Sequence, residues 1–143
     1  MRGLKWFVAG ALAVPLAHQV MLAILNAAGM IDRAPFSMEA TKPLGVPSLV
    51  SLSFWGGVWG VILLLVIGRL RGPAFWIAAI VFGALAPTLV AGFVVAPLKG
   101  QASGGNLQMA MMGFLVNGAW GLGTAALARM MEAWRATSKN SRT

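Results

Sequence analysis

Two neighbouring polar residues, His18 and Gln19, lie inside a long uncharged stretch near the start of the chain. His18 is the only histidine, and an ionisable side chain within a membrane segment is costly enough to be a functional candidate by default. It could ligate the metal of a haem or chlorophyll, relay a proton, or orient a polar ligand together with Gln19 and Asn26. It could equally be a neutral histidine that bonds to a backbone carbonyl freed by Pro15.

The second deep amide is Asn117. Buried amides commonly bridge membrane helices, for about 1 kcal/mol or less. The candidate polar or ligand site therefore consists of His18, Gln19, Asn26 and Asn117, and Thr88 could join them in a common polar lining. A haem of the usual b type needs two axial ligands and the chain has one histidine. We therefore expect no cofactor, with haem or chlorophyll at His18 as the alternative.

The remaining residue types argue against catalysis and against a metal site. Cysteine is absent, and no Ser-His-Asp set, paired carboxylates or phosphate-binding loop occurs. Met109, Met111 and Met112 carry thioethers, which suit Cu(I), but helix geometry separates residue 111 from the other two. Methionine also fills irregular gaps in a protein core. We expect neither an enzyme nor a bound metal.

The elements that position these side chains are membrane helices. Of 143 residues, 59% are hydrophobic and 10% are charged, which is too few charges to cover a soluble domain. Four uncharged runs each reach the roughly 20 residues that cross a hydrocarbon core, and backbone in lipid must bond to itself. The sequence predicts one all-α integral membrane domain with four helices that span the membrane at about residues 6–26, 48–68, 74–98 and 107–128. The loop 27–47 and the tail 129–143 complete it.

The basic residues predict the orientation of these helices. The net charge is +8, and most basic side chains lie before the first helix, between the second and third, and after the fourth. These residues are Arg2, Lys5, Arg69, Arg71, Arg129, Arg135, Lys139 and Arg142. The opposite side carries Arg33, Lys42 and Lys99. The positive-inside rule then predicts that both termini are cytoplasmic and that the loop 27–47 is periplasmic, in a bacterial inner membrane. Membrane lipids are expected partners, and nucleic acid is not.

The two halves of the chain resemble each other. Gly10-Ala-Leu-Ala-Val-Pro15 in the first helix is similar to Gly83-Ala-Leu-Ala-Pro87 in the third. Gly57-Val-Trp-Gly-Val61 in the second matches Gly118-Ala-Trp-Gly-Leu122 in the fourth, which aligns Gly56 and Gly60 with Asn117 and Gly121. We predict two tandem αα-hairpin repeats related by a pseudo-twofold axis along the membrane normal. Chance similarity among Ala/Gly/Leu-rich helices is the alternative.

Several of the repeated residues are expected to pack helices together. Small residues four apart allow close backbone approach, and an indole N–H deep in a membrane needs a partner. We expect the tryptophans to pack against the turns loosened by the prolines. The predicted helix-packing residues are Gly56, Gly60, Asn117, Gly121, Trp59, Trp120, Pro15 and Pro87.

Three functional classes remain. The lack of catalytic groups and the small-residue helix faces favour a non-catalytic accessory or scaffold subunit of a respiratory or photosynthetic membrane complex, which binds partner helices and lipid through those faces. A small oligomeric transporter or channel is the alternative. It is less favoured because transport coupled to a cation usually needs an acidic residue within the membrane. The three acidic residues all lie outside the predicted membrane interior: Asp32, Glu39 and Glu132. A haem- or pigment-binding subunit that uses His18 is the third class.

Overall fold

The computed structural model describes residues 1–42, 44–104 and 107–140, with side chains described up to residue 134. In this part of the chain four helices are long and apolar enough to cross a membrane, as predicted. They are α1 (Arg2–Ala27), α2 (Ser48–Ile67), α3 (Gly72–Leu98) and α4 (Leu107–Asn140). Two short antiparallel strands, β1 (Ala40–Thr41) and β2 (Val46–Pro47), pair in the loop between α1 and α2.

Most helix ends lie within a few residues of their predicted positions, but α4 does not. Its segment beyond residue 128 is predicted as a tail, whereas the helix continues to Asn140. Residues 129–140 contain neither glycine nor proline, so nothing local stops the helix. The Lys5 ammonium also donates to the carbonyl of Met131 at 3.1 Å. Pro43 and Arg142 lie outside the described residues, as do the side chains of Arg135 and Lys139.

Prolines change the backbone of α1 and α3 without ending either helix. In α1 a π-helical turn runs over Val14–His18 and contains Pro15. Pro15 has no N–H to offer the carbonyl of Ala11, and that carbonyl accepts from the N–H of Val14 instead. In α3, Pro87 lies inside the helix and a π-helical turn follows over Ala91–Val95.

Two helix pairs pack closely through small residues. In the pair α1–α2, a methyl group added to Gly10 would collide with the carbonyl of Gly56, and one added to Gly60 would collide with the carbonyl of Trp6. The pair α3–α4 is built in the same way. A methyl on Gly83 would lie 2.6 Å from the carbonyl oxygen of Asn117.

A methyl group added to Gly121 would collide with the carbonyl of Ala79, as one added to Gly60 would collide with the carbonyl of Trp6. Residues at matching positions of the two halves therefore make matching contacts. Close backbone approach of this kind is the usual way in which membrane helices gain packing energy without a hydrophobic driving force.

The helices alternate in direction, and α1 and α4 occupy the middle of the bundle. At one end Arg2 contacts Glu132, and near the other end Leu22 and Leu25 pack with Met112 and Val116, so α1 and α4 run antiparallel. The contact of α1 with α4 is more extensive than the contact of α2 with α3. The two interfaces between hairpins are thus unequal.

Both α1 and α3 end in the same glycine-containing cap. Gly29 has φ 70° and Gly100 has φ 72°, a backbone conformation that favours glycine. The N–H of Gly29 donates to the carbonyl of Asn26 at 2.9 Å, and the N–H of Met30 donates to the carbonyl of Leu25 at 3.0 Å. These two bonds form the Schellman pattern. The same two bonds recur at Gly100.

We predict that Gly10→Ala lowers the free energy of unfolding by about 1–3 kcal/mol, because its methyl has no room beside the Gly56 backbone. Unfolding by dodecyl sulfate in mixed micelles, followed by circular dichroism, measures this change. Gly118→Ala is the matched control, since its methyl would lie 3.6 Å from Ala84 Cβ, an ordinary contact. Equal losses in the two variants would contradict the packing described above.

Candidate functional site

His18 and Gln19 meet at the last turn of the π-helical segment, and Gln19 connects the helix to the following loop. Gln19 is only 2% exposed. Its Oε1 accepts a hydrogen bond from the backbone N–H of Phe36 at 2.7 Å, and its Nε2 lies 3.3 Å from Nδ1 of His18. Phe36 has φ 54°, which is unusual for a residue with a bulky side chain. The buried amide therefore holds a strained loop residue against α1.

These contacts determine which ring nitrogen of a neutral His18 carries the proton. The bond from Phe36 fixes Oε1 of Gln19 as the acceptor, so the NH2 group faces His18. Nδ1 must then accept, and the proton of a neutral imidazole is on Nε2. A metal-ligating histidine usually donates its second N–H to an acceptor, which is the opposite arrangement.

The other predicted polar residues make separate contacts. Asn26 donates from Nδ2 to the carbonyl of Ile31 at 2.9 Å and so closes the turn after α1. Asn117 donates from Nδ2 to the hydroxyl of Thr88 at 2.9 Å and bridges α3 and α4. Among the described residues, no hydrogen bond joins these two pairs to His18. The proposed common lining divides into three separate polar contacts, two of which, those of Gln19 and Asn26, hold the loop after α1.

The tryptophan of α4 packs against α1. Trp120 is buried against Ala13 and Val14, beside Pro15, and its indole N–H donates to the carbonyl of Gly10 at 2.9 Å. That carbonyl is available because the N–H of Val14 has moved to Ala11. The sequence suggests that a carbonyl freed near Pro15 could accept a hydrogen bond from His18. In the structure the free carbonyl of Gly10 accepts from Trp120 instead.

Trp59, which the repeat aligns with Trp120, contacts α3. Its ring packs edge to face on Phe82, with 6.0 Å between centroids. It also packs against the buried cluster that contains Trp120. Phe82 precedes Gly83, as Ala9 precedes Gly10. Each tryptophan therefore reaches the first helix of the other hairpin at a comparable height.

A cluster of charged and aromatic residues at the end of the bundle that holds Arg2 has no counterpart in the sequence-level expectations. Glu132 Oε1 accepts from Arg2 Nε at 2.9 Å and from the indole of the buried Trp6 at 3.2 Å. Arg129 lies over the ring of Phe75, 4.3 Å from its centroid. The sequence contained a signal for this cluster, because Glu132 is the only acidic residue on the predicted cytoplasmic side.

Thr124 is a further buried polar residue that the sequence did not single out. It is fully buried in α4, and its hydroxyl is the one buried side-chain polar atom of the described residues without a hydrogen-bond partner. Such a group costs about 1–3 kcal/mol. Nothing in the structure explains why this position is not alanine.

The described residues contain no group of three or more His, Cys, Asp or Glu side chains placed to hold a metal ion. No known protein family, curated protein or solved structure matches the chain.

We predict that Trp120→Phe lowers the free energy of unfolding by about 0.5–2 kcal/mol, since the Gly10 carbonyl loses its donor. Trp55→Phe on the exposed face of α2 is the control and should change stability by less than about 0.5 kcal/mol. Replacement of Trp120 by benzothienylalanine, in which sulfur takes the place of the indole N–H, separates the hydrogen bond from ring packing. Unchanged stability in that variant would contradict a role for the bond.

We also predict that Gln19→Met increases hydrogen exchange at the amide of Phe36 by about tenfold, because that N–H loses its only buried acceptor. Exchange followed by mass spectrometry of peptides from residues 31–40 measures this. Gln101→Met, in the exposed loop after α3, should leave the same peptides unchanged. Equal exchange in both variants would show that Gln19 does not hold the loop.

Proposed function

We propose that the chain is a non-catalytic accessory or scaffold subunit of a larger bacterial inner-membrane assembly, of the respiratory or photosynthetic type. The observation that carries this proposal is the exposure of α3. This helix is apolar enough to cross a membrane, yet only 11% of its most apolar stretch is buried within the protein, against 39% for α1 and for α4. Its buried residues form a single stripe of Phe75, Ala79 and Gly83.

The partner surface in this proposal differs from the one that the sequence favours. Gly56, Gly60 and Gly121 are already in contact with the chain's own helices, so they cannot also receive a partner. The free face of α3 is available and carries large apolar side chains, among them Ile77 and Phe93. A helix of a neighbouring subunit would cover this face, with lipid around the rest of the bundle.

We further propose that both termini are cytoplasmic and that the two hairpins are repeats about an axis along the membrane normal. The charge distribution supports the orientation. The matching glycine contacts of Gly10 and Gly83 support the repeat, as do the two Schellman caps and the reciprocal positions of Trp59 and Trp120.

The two alternative functions predict different experimental results. A transporter or channel would act as an oligomer of this chain. A haem- or pigment-binding subunit would use His18, but the donor that faces Nδ1 makes that ring a poor ligand.

Photo-crosslinking from that face provides the test. A photoreactive residue in place of Ile77 should give one discrete adduct with another membrane protein in native membranes. The amount of adduct should be close to the amount of that partner in the membrane. The control is Leu65, which is also exposed. It lies near the end of α2, at the same end of the bundle as Ile77. We expect no such adduct from Leu65.

The other outcomes overturn the proposal in different ways. An adduct of the chain with itself from Ile77 would favour the oligomeric transporter or channel. Lipid adducts only, at both positions, would show that α3 faces the bilayer and has no partner. An absorbance band above 350 nm that is lost in His18→Ala would favour the pigment-binding class.

A further inference from the structure

The loop after α1 is attached to that helix by a short chain of hydrogen bonds that passes through one side chain, Gln19. Its Oε1 accepts from the backbone N–H of Phe36 at 2.7 Å, and its Nε2 lies 3.3 Å from Nδ1 of His18. Because Gln19 is almost fully buried, its amide cannot exchange these partners for water. The imidazole of His18 therefore determines which atom of the amide faces the loop.

Neutral imidazole and imidazolium need opposite orientations of this amide. Nδ1 of neutral His18 accepts from the NH2 group of Gln19. In the imidazolium both ring nitrogens carry hydrogen, so Nδ1 becomes a donor that faces another donor. Rotation of the amide by half a turn brings Oε1 to Nδ1 and brings the NH2 group to the N–H of Phe36, where two donors then meet. A hydrogen bond from a charged donor is roughly twice as strong as one between neutral groups, so Oε1 stays with the imidazolium.

The backbone at Phe36 is placed to move once its bond to Gln19 is lost. Its φ of 54° lies in the left-handed region, which a bulky residue occupies only where surrounding contacts enforce it. The side chain of Phe36 is exposed, so little packing opposes relaxation to a negative φ. The hydrogen bond from its N–H to the buried amide is the printed contact that holds this conformation.

A charge on the imidazole also acts on the loop directly. Arg33 of the loop is the charged side chain whose field reaches His18. Neither α2 nor the part of α4 up to Ala128 contains a charged residue, so the helices packed against the π-helical turn offer no counter-charge. The acids of the loop, Asp32 and Glu39, line a cavity of about 350 Å³ together with Arg33. Imidazolium and guanidinium repel each other, which adds to the loss of the Gln19 bond.

We propose that His18 is a pH-sensitive switch for the loop after α1. Neutral imidazole keeps the loop on the helix through Gln19, and a proton that binds to Nδ1 from water releases the segment around Phe36. His18 is only partly buried, so a proton can reach it. This role needs neither a metal nor a second histidine, and it depends on neither the assembly nor the orientation proposed above.

Distances between two spin labels test the release. The chain contains no cysteine, so labels can be attached to Met38→Cys in the loop and Leu98→Cys at the end of α3, both at exposed positions. The labelled full-length chain in nanodiscs of neutral lipid is compared at about pH 8 and about pH 3.5, on either side of the range in which histidine titrates. We expect one distance at the higher pH and a second, longer distance at the lower pH.

Two variants separate His18 from the acids of the loop. His18→Asn offers an amide oxygen in place of Nδ1 and cannot bind a proton, so it should keep the single distance at both pH values. Gln19→Met removes the connection and should show the second distance at both. Asp32 and Glu39 are unchanged in these variants, so a pH response that survives in His18→Asn would belong to them and would overturn the proposal.

Nitrogen NMR of the unchanged chain gives a readout that does not depend on any variant. Isotope-labelled histidine reports His18 alone, because the chain has one histidine. At the higher pH the proton should be on Nε2, and Nδ1 should gain its proton over the same pH range in which the second distance appears. A proton on Nδ1 of the neutral ring, a closed loop with protonated Nδ1, or a loop that stays closed at the lower pH would each contradict the switch.

Discussion

The carbonyl of Gly10 is the point on which the rest of the bundle depends. Three helices meet there: α1 supplies the oxygen, α2 brings Gly56 into backbone contact with it, and α4 donates the indole N–H of Trp120. The oxygen is free only because Pro15 forces a π-helical turn that redirects the N–H of Val14. A helix defect in one span thus creates the acceptor that fixes the position of another span 110 residues later in the chain.

The two hairpins are not equivalent within the bundle. Pro15 lies inside its π-helical turn, whereas Pro87 precedes its own turn by four residues. Trp120 finds its acceptor and α1 packs closely on α4, while Trp59 contacts an aromatic ring at a smaller interface. Helices α1 and α4 are the most buried of the four, and α3 is the most exposed.

The sequence was sufficient for the four helices because hydrophobic length and the absence of charge determine membrane helices almost alone. It also predicted packing roles for Gly56, Gly60, Gly121 and Trp120, since glycine spacing and a deep indole have few other uses. It could not assign the partners of His18, Gln19 and Asn117. Those depend on the path of the loop after α1 and on which faces of α3 and α4 meet, and neither is encoded in helical periodicity.

The pairing of Arg2 with Glu132 and of Gly10 with Trp120 has a consequence for biogenesis. As the chain leaves the ribosome, α1 and α2 can join through their glycines as soon as both are in the bilayer. The Gly10 carbonyl of α1 then lacks its indole donor until α4 has been inserted. Helix α4 therefore completes the packing of α1, and a chain interrupted before residue 120 leaves α1 exposed to membrane quality control.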